Sequence, residues 1–115
     1  MDKITNGKYS SLSIDEHLNI SVNSKKTLVS ASKLSKGTVE QVYMALRLAA
    51  ADIIFQDDKK PILLDDAFAM YDNKRMGNTL KFMSENMEQV ILFSCHTREK
   101  VMADKLGLKY NFIKL

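Results

Sequence analysis

Polar residues suited to phosphate or metal chemistry follow two apolar runs of this chain. Asp65 and Asp66 come directly after Ile62-Leu-Leu64, and His96 follows the run Val90-Ile-Leu-Phe93. In an open parallel sheet, ligands bind outside the carboxyl ends of the strands, so both groups are expected at the same edge. Carboxylate oxygens suit Mg²⁺, and an imidazole changes its charge near neutral pH. The spacing therefore predicts one polar site built from two strand ends.

A third candidate segment is Leu34-Ser-Lys-Gly-Thr38, which precedes a predicted helix. Thr38 and Gln41 fit a capping box, in which both side chains satisfy backbone N–H groups. The residues just before such a helix can bind an anion, because unpaired N–H groups and a partial positive charge lie there. Apolar residues at helical spacing follow the segment, namely Val42, Ala45, Leu46, Ala49 and Ile53.

A phosphate-binding glycine loop is absent from the sequence. The pattern G-x-x-x-x-G-K-S/T supplies a run of backbone N–H donors around phosphates. The four glycines are Gly7, Gly37, Gly77 and Gly107, and none of them completes that pattern. If the chain handles a nucleotide, another segment must supply the main phosphate cradle.

The elements that must position these groups fall into two zones, 1–33 and 34–115. Alternating apolar residues predict antiparallel strands at 9–14, 18–22 and 26–29, with turns at 15–17 and 23–25. In the second zone the strand-like runs at 62–64 and 90–93 alternate with helices, and residues 110–115 are predicted as a closing strand. The predicted fold is α/β, with a mostly parallel sheet, flanking helices and an N-terminal antiparallel strand zone.

Two further helices are predicted after the acidic pair. Asp72 is a possible N-cap for the first, and Thr97 and Gly107 suit the start and the end of the second. The loop 57–60 joins the long helix to the next strand. The first of these helices carries an apolar stripe of core residues, namely Met76, Leu80, Met83 and Met87.

Composition describes one ordinary globular domain of 115 residues. The net charge of +3 is spread along the chain, which is typical of solvated surface. The single Cys95 cannot form an internal disulfide, and we interpret it as a packing residue. The first residues lack the apolar core of a signal peptide, and no apolar run approaches the length of a membrane span, so the cytoplasm is the expected compartment and no membrane partner is expected.

The four motifs, in this order, resemble the C-terminal lobe of an ABC-type ATPase head of the SMC, RecF and RecN class. Residues 34–49 are similar to the signature helix of bacterial YhaN-type proteins, and Asp65-Asp66 and Phe93-Ser-Cys-His96 also suit that subgroup. The resemblance covers residues 8–115, and its specific motifs lie in residues 34–98. It implies that the chain is half of a P-loop ATPase domain, with coiled coil and an N-terminal P-loop lobe elsewhere in the native protein.

The resemblance also implies a role for each candidate residue. The signature residues would bind, in trans, the ATP held by the opposite head; they are Ser35, Lys36, Gly37 and Thr38. Asp65 would be the Walker B ligand of Mg²⁺. Asp66 stands where most of these proteins carry a glutamate that orients the attacking water, and His96 would sense the γ-phosphate. Asp72 would be the D-loop aspartate.

Several of these residues also fit ordinary roles. Residues 35–38 suit a plain capped helix, and the two aspartates suit an exposed loop. Asp72 fits a helix N-cap equally well, and one residue can have both roles. Lys36 departs from the familiar Leu-Ser-Gly-Gly-Gln signature; it adds charge toward a phosphate or points to solvent. His17, without supporting motifs, is interpreted as a turn residue.

The function implied by the resemblance is ATP binding and hydrolysis between two heads of a homodimer, with ATP and Mg²⁺ as cofactors. DNA repair, recombination or chromosome maintenance is the implied process, with DNA and a nuclease as partners. The isolated chain is expected to be inactive. One alternative is a non-catalytic module of the same fold that binds DNA or protein. Another is an unrelated doubly wound hydrolase that binds a metal through Asp65, Asp66 and His96.

Overall fold

Three antiparallel strands form the N-terminal layer of the chain. In this computed structural model, which describes residues 1–24, 27–56 and 59–115, they are β1 (Tyr9–Ile14), β2 (Ile20–Ser24) and β3 (Thr27–Ser30), in the order β1-β2-β3. Val22 is fully buried between this sheet and Val42 of the first helix. The predicted antiparallel zone is therefore confirmed. The predicted turn at 23–25 is wrong for Asn23 and Ser24, because both residues belong to β2 and pair with β3. Residue 25, the start of the strand at 26 and half of the loop 57–60 lie outside the described residues.

Leu18 was predicted in the second strand, and that prediction is wrong. It lies in the turn between β1 and β2 with a φ of 62°, and its side chain is 80% exposed. The Asp15 carboxylate organises this turn, because it accepts hydrogen bonds from the backbone N–H groups of His17 and Asn19. His17 is therefore a turn residue, as predicted.

The second layer alternates helices with two parallel strands. A short 3₁₀ turn (Ala31–Lys33) leads into α1 (Lys36–Ile54), followed by β4 (Ile62–Asp65), α2 (Asn73–Asn86), β5 (Val90–Phe93) and α3 (Arg98–Lys105). β4 and β5 pair in parallel, with Asp65 opposite Phe93. The mixed α/β arrangement is confirmed, and so is the helix N-cap at Asp72.

One core joins the helices to the inner face of the β4–β5 sheet. Met76 is fully buried, and Leu64 of β4 and Met83 of α2 belong to the same cluster. Partly buried side chains complete it, including Ile62, Leu80, Met87, Val90 and Leu92. The interpretation of the methionine stripe as core filler is confirmed.

The opposite face of this sheet is bare in the described chain. Leu63, Ile91 and Phe93 are 65%, 37% and 46% exposed, and they alternate along their strands with the buried residues. Continuous apolar strands such as Ile62-Leu-Leu64 are typical of parallel sheets covered on both faces. The sequence of the sheet therefore suits a second covering layer, which the described residues do not contain.

The C-terminal residues 110–115 do not form the predicted strand. The Tyr110 hydroxyl donates a hydrogen bond to Asp104 of α3, and the Lys100 ammonium group lies 5.6 Å from the centre of the Phe112 ring. These contacts hold the tail beside α3, away from a sheet ladder. Alternation alone cannot form a strand, because each strand needs a neighbour for its backbone groups. Phe112, Ile113 and Leu115 remain exposed.

Two smaller predictions also need correction or comment. Cys95 was interpreted as a packing residue, but its side chain is exposed, because it lies in the open turn after β5 rather than on the inner face. None of the helices in residues 1–24, 27–56 and 59–115 has the length and apolar character that crossing a bilayer requires.

Candidate functional site

Ser35, rather than Thr38, is the N-cap of α1. Its backbone is extended, and its Oγ accepts a hydrogen bond from the Thr38 N–H at 3.4 Å. The predicted capping box is therefore wrong, since Gln41 uses its side-chain amide to donate to the Ile4 carbonyl at 3.0 Å. Lys36 is the first helical residue and its side chain is exposed. Ser35 thus lies at a helix N-terminus, which is the position an anion prefers.

Gly37 is buried against the loop that follows β4. A Cβ atom placed there would lie 2.8 Å from the Met70 carbonyl oxygen and 3.5 Å from Cδ of Arg75. The glycine is therefore required by a close approach of two protein segments. Sequence reasoning had attributed it only to the approach of a phosphate.

Asp72 and Arg75 connect that loop to the start of α1. The Asp72 carboxylate accepts a hydrogen bond from the Arg75 N–H at 2.8 Å and forms an ion pair with the Arg75 guanidinium. Nη2 of Arg75 lies 2.9 Å from Oγ1 of Thr38. The backbone N–H and the positive charge of Arg75 hold the pKa of Asp72 below its usual value. Asp72 is thus the N-cap of α2, and Arg75 connects it to the first turn of α1.

Asp65 and Asp66 lie at the carboxyl end of β4. Asp65 alternates with the buried Leu64 and therefore belongs to the bare face of the sheet. The Asp66 N–H donates to the Phe93 carbonyl at 2.9 Å, and its backbone has a φ of 47°. Left-handed backbone is several-fold enriched in Asp and Asn among non-glycine residues. This conformation gives a physical reason for an aspartate rather than a longer glutamate at this position.

His96 approaches Asp66 across the two strand ends. Nε2 of His96 lies 3.8 Å from Oδ1 of Asp66, and both side chains are about half exposed. Ser94 fixes the turn that carries the imidazole, because its Oγ accepts the His96 N–H at 3.0 Å. The predicted convergence of the two strand ends is therefore present in the structure.

Arg98 links this edge to the loop at 66–72. Its Nη2 donates hydrogen bonds to the carbonyl oxygens of Tyr71 and Phe68, the second at 3.4 Å. The loop is thus held by Arg98 on the side of His96 and by Arg75 on the side of Ser35. Sequence reasoning missed both arginines. The available signal was their spacing, since each lies two or three residues after a candidate site residue.

The side chains at the carboxyl end of β4 suit Mg²⁺ that is bound together with phosphates. Asp65 offers an exposed carboxylate, and Mg²⁺ in nucleotide sites is held by one or two carboxylates, waters and phosphate oxygens. Within the part of the chain that the structure describes, there is no group of three or more His, Cys, Asp or Glu side chains that could hold a metal ion.

Comparison with solved structures defines the class of the fold. The chain is similar to a structure described as "Structural biochemistry of ATP-driven dimerization and DNA stimulated activation of SMC ATPases", with a TM-score of 0.68 and 18% sequence identity. The match covers 90% of this chain and 66% of that one. The fold is therefore that of an SMC ATPase.

Sequence comparison gives a particular relative. The chain is 38% identical over 77 residues to "Uncharacterized protein YhaN" of Bacillus subtilis (strain 168). The match spans 64% of this chain and only 8% of YhaN. No protein-family model matches. The predicted resemblance to the C-terminal lobe of an SMC-class ATPase head of the YhaN type is confirmed.

Proposed function

We propose that residues 1–115 are one lobe, the C-terminal half of a P-loop ATPase head that binds and hydrolyses ATP between two heads. An N-terminal P-loop lobe of the same protein would complete the head, and a second head would complete the homodimer. The observation that carries the proposal is the bare apolar face of the β4–β5 sheet, on which Asp65 also lies. A lobe seated on that face would bring bound phosphates to the aspartate.

The residues of this chain would act by positioning and charge. Bound Mg²⁺ would neutralise phosphate charge, with an oxygen of Asp65 holding it. Asp66 would orient the attacking water, and His96 would donate a hydrogen bond toward the γ-phosphate. The distance of 3.8 Å between these two side chains supports their action in one site. Phosphoryl transfer needs little beyond such positioning and electrostatic stabilisation.

The signature residues would act on the nucleotide of the opposite head. Ser35 and the N-terminal turn of α1, with Lys36, Gly37 and Thr38, would offer donors to the γ-phosphate, and Asp72 would meet the partner head nearby. ATP would therefore join the two heads, and hydrolysis would release them. By resemblance, the process is DNA repair, recombination or chromosome maintenance in the cytoplasm, with DNA and a nuclease as partners.

Calorimetric titration of the chain with Mg-ATP, alone and with a separately expressed P-loop lobe of an SMC-like head, tests the proposal. We expect little binding to the chain alone and hydrolysis only when both lobes are present. Micromolar binding of Mg-ATP by the chain alone would show that the chain contains its own phosphate-binding site. That result would contradict the proposal that the chain is only half of an ATPase head.

Docking of the two lobes has its own test. Leu63→Asp and Phe93→Asp place a charge on the bare face and are expected to abolish association with the P-loop lobe. Leu18→Asp is the matched control, because Leu18 is exposed in the β1–β2 turn. If the control variant weakens association as much as the other two, the bare face is not the docking face.

A second candidate is a module that binds DNA without catalysis. A depression of about 240 Å³ beside α1 and α2 is lined by Lys8, Lys74 and Arg75, and Asp72 is the one carboxylate among the described residues that line it. Salt-dependent binding of duplex DNA by the chain without nucleotide would favour this candidate. Lys8→Gln combined with Lys74→Gln should then weaken binding and reduce its salt dependence.

A further inference from the structure

The Arg75 guanidinium lies between the two segments that the proposed function assigns to the dimer interface. Its Nη1 pairs with the Asp72 carboxylate, and its Nη2 lies 2.9 Å from Oγ1 of Thr38 and 3.4 Å from Oγ of Ser35. The Arg75 side chain is only 27% exposed. One partly buried fork of donors therefore joins the end of the 66–72 loop to the first turn of α1.

The hydrogen-bond inventory of this cluster leaves one hydroxyl hydrogen unused. An arginine side chain only donates, so both hydroxyl oxygens act as acceptors toward it. The two oxygens lie 2.8 Å apart, so one of the two O–H hydrogens occupies the contact between them. Thr38 is 2% exposed whereas Ser35 is exposed. Ser35 is therefore the member of this pair that a ligand outside the chain can reach.

We propose that Arg75 is a positioning residue that fixes the Ser35 hydroxyl at the start of α1 and holds Asp72 in register with it. This inference rests on the proposed function, in which Ser35 meets a phosphate of the opposite head. The charge of Arg75 is already paired with Asp72, so the residue acts through geometry and not as a phosphate ligand. Ser35 and Asp72 then reach the partner head as one unit.

The chemistry of the guanidinium explains why substitutions should differ. A lysine keeps the charge but replaces the planar guanidinium by a compact ammonium group. That group lacks the fixed fork geometry that holds both segments. A glutamine adds a carbonyl acceptor, which would draw a hydroxyl hydrogen inward. Arg75→Lys should therefore preserve part of the arrangement, and Arg75→Gln should lose it.

Amide spectra of the chain alone give the first test. Arg75→Gln should shift the amide resonances of residues 35–38, Arg75→Lys should restore part of the shift, and Lys81→Gln, an equal charge change on the exposed side of α2, should not move them. Asp72→Asn, which keeps an N-cap side chain, should also shift the Ser35 and Thr38 resonances. Unchanged resonances of residues 35–38 in Arg75→Gln would overturn the inference.

A double-mutant cycle in the assembled head gives the second test. Ser35→Ala and Arg75→Gln should each weaken ATP-dependent dimerisation by at least about tenfold. The double variant should be no weaker than Ser35→Ala, because Arg75 acts through Ser35. If the two single-variant losses of dimerisation affinity multiply in the double variant, the inference is overturned. If the wild-type head does not dimerise with ATP, the proposed function fails, and the amide shifts still decide the role of Arg75.

Discussion

Gly37 lies directly against the carbonyl oxygen of Met70, so closely that a Cβ atom at Gly37 would be 2.8 Å from that oxygen. The obstacle is backbone rather than a flexible side chain. The contact joins the first turn of α1 to the loop after β4, and Arg75 bridges the same two segments. The relative position of the first turn of α1 and the loop at 66–72 is therefore fixed by close packing within this chain.

Gly37→Ala should destabilise the chain by about 1–3 kcal/mol, because the added methyl group forces one backbone segment away from the other. Gly77→Ala is the matched control. Its Cβ would lie 3.3 Å from the flexible Met102 side chain, and alanine favours a helix by up to about 1 kcal/mol. Urea unfolding of both variants measures the difference. Equal stability of Gly37→Ala and the wild type would show that the two segments move apart freely.

Asp66→Glu should lower the free energy of unfolding by roughly 0.5–1 kcal/mol, whereas Asp66→Asn should be close to neutral, because Asn and Asp adopt left-handed backbone more readily than Glu. The φ of 47° at Asp66 is the cause. Thermal or urea unfolding of both variants tests this. A glutamate variant as stable as the asparagine variant would mean that the backbone imposes no preference for a short side chain here.

The ionised Asp72 carboxylate should stabilise the chain at neutral pH and lose that effect in acid. Because its pKa is lowered in the folded state, its contribution is complete above the unfolded pKa and disappears as the pH falls through the folded pKa. Compared with Asp72→Asn, the wild type should be more stable by about 0.5–1 kcal/mol at pH 7, since the pair with Arg75 is half exposed. The difference should vanish in strong acid.

Unfolding of both proteins from pH 7 to pH 2 measures that effect. The same comparison in an Arg75→Gln background should show a smaller difference, because the guanidinium partner of the carboxylate is missing while the backbone N–H of residue 75 remains. A constant difference at every pH would contradict the ionic explanation.

Leu63→Ala should change the free energy of unfolding by less than about 0.5 kcal/mol, whereas Leu64→Ala should lower it by about 2–5 kcal/mol. The two leucines are neighbours on β4, but Leu63 is 65% exposed and Leu64 is 9% exposed. Urea unfolding at two protein concentrations gives the comparison. Equal losses of unfolding free energy in the two variants would show that the outer face is already covered in solution, for example by a second copy of the chain. Stability would then depend on protein concentration.

Sequence reasoning recovered the elements whose signals are local. The helical spacing after Thr38, the N-cap Asp72 and the two apolar runs predicted α1, α2, β4 and β5. The convergence of Asp66 and His96 followed from a general property of parallel strands. The roles of the site residues remain predictions, because the likeness to SMC ATPases at 18% identity shows the fold alone.

The failures have a common physical origin, which is that contacts formed on folding decided them. Gln41 was expected to close a capping box, but the carbonyl of Ile4 takes its amide. Residues 110–115 have a strand pattern, yet Asp104 and Lys100 hold them beside α3. Arg75 and Arg98 were overlooked because their acceptors become neighbours only after folding. Local pattern predicts the elements, and these long-range contacts complete the site.

The exposed face and the open edges of the β4–β5 sheet affect how the chain resists aggregation and degradation in a cell. In the described structure β4 and β5 pair only with each other, so each strand keeps one open edge beside an exposed apolar surface. Open edges and apolar faces are templates for aggregation, and cells remove such molecules through chaperones and proteases. We therefore expect the chain to aggregate or to be degraded faster when it is expressed without a covering lobe than when it is joined to one.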